Sequence, residues 1–198
     1  MKITVLMLLL AMLGLTQSAH AFQHPGIPLT LTNLDYVKAR LTVQPWKSGW
    51  DALQADGQAS TNYVMQGPFG LVSRVPFINQ NQWKSDMSAV YKLSLRWYFT
   101  GDTNYAIKAT QIFDAWATTM TNYGCNEAYL DLGDYAVPFF GGPEILRWTY
   151  PGWTALNTQH ATNYFQTAIR PALYVPYPLR GANQGMSALK SAMGLAIF

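Results

Sequence analysis

Residues 86–119 spell a helical hairpin. The first arm, DMSAVYKLSLRWYF, sets Met87, Val90, Tyr91 and Tyr98 along one stripe. After the turn TGDTNY, the second arm AIKATQIFDAWATT continues a stripe of Tyr105, Ala109, Ile112, Phe113, Trp116 and Met120. Lys108, Gln111, Asp114 and Thr118 fall off that stripe, so the second arm keeps one wet side. Two helices joined by a Gly-Asp turn pack antiparallel, and chains that repeat the unit build bundles or rings of hairpins.

The rest of the chain agrees with an all-α class. FQHPGIP (22–28) is an extended lead-in. Thr32-Asn33 offers an N-cap to LDYVKARLTV, with Leu34, Val37 and Leu41 on one face. Pro45 opens a second short helix, PWKSGWDALQ. From Asp56 to Gln82, the residues Gly57, Gly67, Pro68, Gly70 and Pro76 break every periodicity, and a loop of that length is usually functional. Beyond the hairpin the pattern predicts a loop from Tyr123 to Gly133 and a helix over Val137–Thr149, closed by Pro151-Gly152. It then predicts a helix over 155–169 that stops before Pro171, a Pro- and Tyr-rich loop to Asn183, and a last helical run, QGMSALKSAMGLAIF. No strand-type alternation persists, and no internal domain boundary shows.

Both ends carry expectations. Lys2, the apolar stretch Ile3–Leu15 and Ala19-His20-Ala21 read as a signal peptide over 1–21, leaving a single domain over 22–198. The apolar stretch is shorter than the ~18–20 residues of a membrane span. SALKSAMGLAIF ends the chain at helical spacing with no cap or polar tail, the pattern of a domain truncated at its C-terminus.

Charged residues make up 12% of the chain, far below the roughly 25% of ordinary globular proteins, and the net charge is +3 without any Lys/Arg run. That excludes a nucleic-acid surface. A neutral surface rich in Trp, Tyr, Asn and Gln suits sugars, although most individual aromatics belong in a core. The single cysteine, Cys125, rules out a disulfide scaffold and a Cys-based zinc site, and reads as a buried, inert thiol. No ligand set at metal spacing occurs, so neither metal nor other cofactor is expected.

HPG at 24–26, PWKSGWDAL at 45–53, LSLRWYFTGDTNYAIKATQIFDAWA at 93–117 and GPEILRWTYPGW at 142–153 come in the order seen in the alginate lyase family. The chain resembles that family along nearly all of its mature length, and GANQGMSALKSAMGLAIF at 181–198 is similar to the family's Asn-containing loop and following helix. The resemblance implies an incomplete (α/α) toroid of helical hairpins with a polysaccharide cleft. It further implies a secreted or periplasmic enzyme, here its N-terminal portion, that cleaves uronic-acid polymers by β-elimination. The expected partner is an anionic polysaccharide, met by a monomer that is free of the membrane once the signal is cleaved.

β-Elimination on a uronate removes the C5 proton, which is acidic only when the adjacent carboxylate is neutralised or hydrogen-bonded. A base for that proton and an acid for the leaving oxygen complete the chemistry. The resemblance makes Asn183 the catalytic carboxylate-binding amide, with helix capping as the structural alternative. Gln184 stands where relatives often carry an aromatic or His, and it is counted with the substrate-binding candidates. Arg74, in LVSRVPF, is of the type that grips a carboxylate bidentately. Trp83, Tyr135 and Asn81 are further cleft candidates. Glu144 and Arg147, at i and i+3, read as a structural ion pair. Neither His24 nor His160 resembles the family's base, which is expected beyond Phe198. Two other readings stay open: a non-catalytic carbohydrate-binding or scaffold remnant, and a toroid glycoside hydrolase, which needs two carboxylates across the cleft.

Overall fold

In the computed structural model, residues 22–124, 127–174 and 182–198 are described. The expectations for the leader 1–21, for Cys125 and for residues 175–181 of the Pro-rich loop lie outside them.

The described residues are mostly helical. Helix α1 (Leu31–Lys38) begins three residues ahead of Leu34, where the Thr32-Asn33 reading started it. Thr30 is its cap, and the Thr30 and Asn33 side chains bond each other's backbone N–H groups. Helix α2 (Trp46–Ala55) follows Pro45 as expected. The hairpin is α3 (Gln80–Thr100) and α4 (Thr103–Thr119). Gly101 takes the left-handed conformation (φ 74°) that ends α3, and the Asp102 carboxylate accepts from Asn104 N–H to start α4. Helix α3 thus begins six residues ahead of Asp86, shortening the loop that was expected to run to Gln82.

A short helix α5 (Ala128–Asp134) occupies the segment read as a loop, because Ala128, Tyr129 and Leu132 form a buried face at helical spacing. Helix α6 (Ala136–Thr149) then crosses α3, with Gly142 at the crossing: a Cβ there would stand 2.8 Å from Val90 Cγ1. Helix α7 (Ala155–Tyr164) does not stop before Pro171. It passes through one π-helical turn, Phe165–Ile169, into α8 (Arg170–Tyr174). Pro171 comes just after the π turn; having no N–H, it cannot bond a carbonyl of the preceding turn, and the helix widens just before it. Helix α9 (Ala182–Ile197) closes the described chain.

The core is aromatic. Trp83 meets Tyr123, Tyr135 and Phe139, while Phe165 packs against Phe113, Phe139, Phe140 and Tyr164. Most of the polar atoms inside this core are paired. Trp83 Nε1–H donates to Tyr164 Oη at 3.2 Å, and that hydroxyl donates to Met120 Sδ at 3.1 Å. Burial pushes the Tyr164 phenol well above its ordinary pKa.

A two-residue parallel pair, β1 (Leu71–Val72) with β2 (Asn122–Tyr123), ties the long loop to the end of α4. Just beyond it, Ser73 and Ile78 exchange both backbone hydrogen bonds at 2.9 Å, closing a small loop that carries Arg74, Val75 and Phe77. This loop is the element that positions the site.

Candidate active site

The closed loop 73–78, the first two turns of α3 and the helix α5 surround a hollow of about 360 Å3 lined by Arg74, Val75, Phe77, Gln80, Lys84, Asp131 and Asp134. Gln80 and Lys84 are four residues apart on α3 and so share a face. At the floor lies Asp131, 1% exposed. Its Oδ2 accepts from the Tyr123 hydroxyl at 2.7 Å and from the Gln80 side-chain amide. Its Oδ1 faces Lys84 Nζ at 3.2 Å and Arg74 Nη1 at 3.5 Å.

Arg74 is only loosely held. Its contacts to Asp131 and to Glu127 Oε2 (3.4 Å) are ion-pair distances, longer than the ~2.7–2.9 Å of charge-assisted hydrogen bonds. The guanidinium therefore keeps donors to offer. Lys84 Nζ also lies over the Tyr135 ring, 4.7 Å from its centroid. Three carboxylates (Glu127, Asp131, Asp134) outnumber these two cations, so the hollow is not an indiscriminate polyanion trap. The outer wall is apolar, with Val75 59% and Phe77 60% exposed. A larger hollow of about 470 Å3 is lined by Trp46, Trp50, Leu95, Phe99 and other apolar groups, with no charged side chain in its lining.

The residues singled out in the sequence fall into three groups. Arg74 lines the hollow, and Tyr135 sits under Lys84. Asn183 and Gln184 are in the first turn of α9, so Asn183 lies inside the helix and not at its cap. That turn is joined to α5: the Tyr129 hydroxyl donates to Gln184 Oε1 at 3.2 Å, and one turn on, Ser187 Oγ donates to Asp134 Oδ1 at 3.4 Å. Asn183 is exposed. The remaining two stand apart from the hollow. Asn81 is exposed and does not line it, while Trp83 is wholly buried, its indole hydrogen-bonded to Tyr164. A ring with no exposed surface supports the site from behind and cannot wall a cleft.

The sequence reading missed Gln80, Lys84, Asp131 and the apolar wall. With α3 taken to begin at Asp86, the i, i+4 relation of Gln80 and Lys84 was invisible, and Asp131 was placed in a loop. The Glu144–Arg147 pair is also corrected. Fully buried Glu144 meets His24 Nδ1 at 2.6 Å, whereas Arg147 donates to the Phe198 carbonyl. His160 Nδ1 pairs with Asp114 at 2.7 Å, also away from the hollow.

Residues 46–165 match the family model described as alginate lyase, a span of more than half the chain that contains α2 through α7 and every residue lining the hollow. The chain belongs to the alginate lyase family. The matched span includes the hairpin and the GPEILRWTYPGW segment, while the HPG segment and Asn183 fall outside it. No curated protein and no solved structure matches the chain. Among the described residues, no helix is long and apolar enough to cross a membrane.

Proposed function

We propose that this alginate lyase family member is a secreted polysaccharide lyase, its hairpins forming part of an (α/α) toroid, that cleaves alginate or a related polyuronate by β-elimination. The observation that carries the reading is the hollow within the family-matched span, where the loosely held Arg74, together with Lys84, stands beside exposed Phe77. A uronate needs both features: cations and amides for its carboxylate, and an apolar surface for its ring face.

Arg74 binds a sugar carboxylate through its free donors, and Lys84 adds a point charge. Asn183 supplies an uncharged amide that hydrogen-bonds a substrate carboxylate as negative charge builds up on it during C5 deprotonation. The electron pair left by the C5 proton forms the C4–C5 double bond as the C4–O glycosidic bond breaks, and the leaving oxygen takes up a proton. Neither His24 nor His160 is assigned the base, since each is paired with a carboxylate outside the hollow. Gln184 and Tyr135 shape the surroundings of Asn183 and Lys84 respectively, and Asn81 is a contact for a longer chain.

Hydrolysis is the weaker reading. It requires two carboxyl groups free to act across the cleft; Asp131 already accepts from four side chains, which leaves that task to Glu127 and Asp134, and an unsaturated product excludes it. The test is turnover of polyuronate by the full-length protein and by Asn183→Ala. A loss of about 10^2-fold or more in kcat with unchanged thermal stability is expected for the removal of one such donor. Equal losses of turnover and stability would remove Asn183 from the chemistry.

A further inference from the structure

Asp131 has no place in the chemistry above, yet it is the most heavily engaged group of the site. A carboxylate with 1% exposure is costly unless its lone pairs are filled. Here they are filled from three directions: Arg74 from the closed loop, Gln80 and Lys84 from α3, and Tyr123 from β2. The same oxygen, Oδ1, faces both cations. Among the described residues, the two elements that bring the cations share no other charged anchor of this depth: Glu127, the second acid at Arg74, is 41% exposed at its side chain.

We propose that Asp131 is the positioning residue of the binding hollow, setting the directions of the Arg74 and Lys84 donors so that one uronate carboxylate meets both. The inference rests on the lyase reading for the identity of that ligand, but not for the arrangement itself. Tyr123 and Gln80 occupy Oδ2 and so fix the carboxylate plane. Oδ1 is then presented to the two cations, each at a distance that leaves other N–H groups free. Asp131 touches no substrate in this arrangement.

The experiment compares the full-length protein with its Asp131→Asn and Tyr123→Phe variants, using two readouts. The first is KM and kcat on polyuronate, or Kd for an oligouronate if turnover is absent. The positioning role requires KM or Kd to rise about tenfold in Asp131→Asn, with a smaller rise in Tyr123→Phe and kcat changed much less than KM. Unchanged or tighter binding in Asp131→Asn would overturn it, because a mere counter-charge to Arg74 and Lys84 would release them for an anionic ligand when removed. The second readout needs no substrate: the NMR signal of the Arg74 Nη1 protons, which face Asp131 Oδ1, is expected to lose its dispersion and exchange protection in Asp131→Asn. Its persistence in that variant overturns the positioning role. Should Asp131→Asn fail to fold, Tyr123→Phe decides by the same readouts, since it removes one hydrogen bond and no charge. A wild-type protein that binds no uronate, with the Arg74 signal still dependent on Asp131, would refute the lyase reading and leave the positioning role standing.

Discussion

Trp116 Nε1–H donates to Asp86 Oδ2 at 2.7 Å, joining the two arms of the hairpin through a carboxylate that is wholly buried. The same carboxylate accepts from the Tyr63 hydroxyl (2.8 Å) and from the backbone N–H groups of Gln66 (2.9 Å) and Gly67 (2.9 Å). The long loop before α3 is therefore fastened to the hairpin at its middle, and Tyr63, desolvated and bonded to Asp86, has its phenol pKa pushed well up. Asp86→Ala leaves buried donors from both the loop and Trp116 without partners. A loss of about 3–5 kcal/mol is expected, measured by denaturant unfolding. A change below about 1 kcal/mol would mean that water replaces the carboxylate.

Two glycines give opposite expectations. A Cβ on Gly133 would stand 2.2 Å from the Ser187 backbone oxygen, so Gly133→Ala must push α9, and Asn183 with it, away from α5. Lower stability and lower turnover are expected together. Gly49, inside α2, has open space around it, with nothing within 4 Å of the point where a Cβ would stand. Gly49→Ala is therefore expected to raise stability by about 0.5–1 kcal/mol through helix propensity. Thermal melts of the two variants, moving in opposite directions, check both.

Acid and alkali act on different anchors. The hydrogen bond from Lys92 Nζ (2.6 Å) holds the Asp56 carboxyl below its usual pKa, so its contribution is present above about pH 4 and is lost as pH falls through the folded value. At the other end, burial and the Asp35 bond push Tyr98 up to about 12, and burial alone pushes Tyr91 up to about 12. The unfolded chain ionises these phenols near pH 10, so their contribution is full below that value and vanishes as pH rises to about 12. Phenolate absorbance should show a late-titrating class that becomes ordinary once the chain is unfolded, and Tyr98→Phe should make it smaller. A single transition near pH 10 in the native protein would contradict this.

The all-α class was legible because the hairpin stripes of Met87, Val90, Ile112, Phe113 and Trp116 repeat at helical spacing, and those residues are the core. Arg74, which lies on the lining of the hollow, was singled out for a different reason, the bidentate fit of a guanidinium to a carboxylate. Lys84 and Asp131 were not, because their importance comes from an encounter between α3 and α5, 47 positions apart, that no local pattern encodes. Trp83 shows the converse error, a sugar-binding residue type consumed by the core through its Tyr164 bond.

The apolar wall of the hollow has its own consequence. Phe77→Ala removes a ring that is 60% exposed, so stability should hardly change, whereas KM for polyuronate should rise by roughly tenfold if stacking is worth about 1–2 kcal/mol. Arg74→Ala should also raise KM, with a weaker dependence on salt than the wild type, because one screened charge contact has gone. Equal salt dependence in both proteins would place the substrate elsewhere.

The most direct measurement follows the product. Alginate incubated with the full-length protein should gain the ultraviolet absorbance of a C4–C5 unsaturated uronate, one chromophore for each new reducing end. New reducing ends without that absorbance would make the enzyme a hydrolase, and the absence of both would contradict cleavage of this polymer altogether.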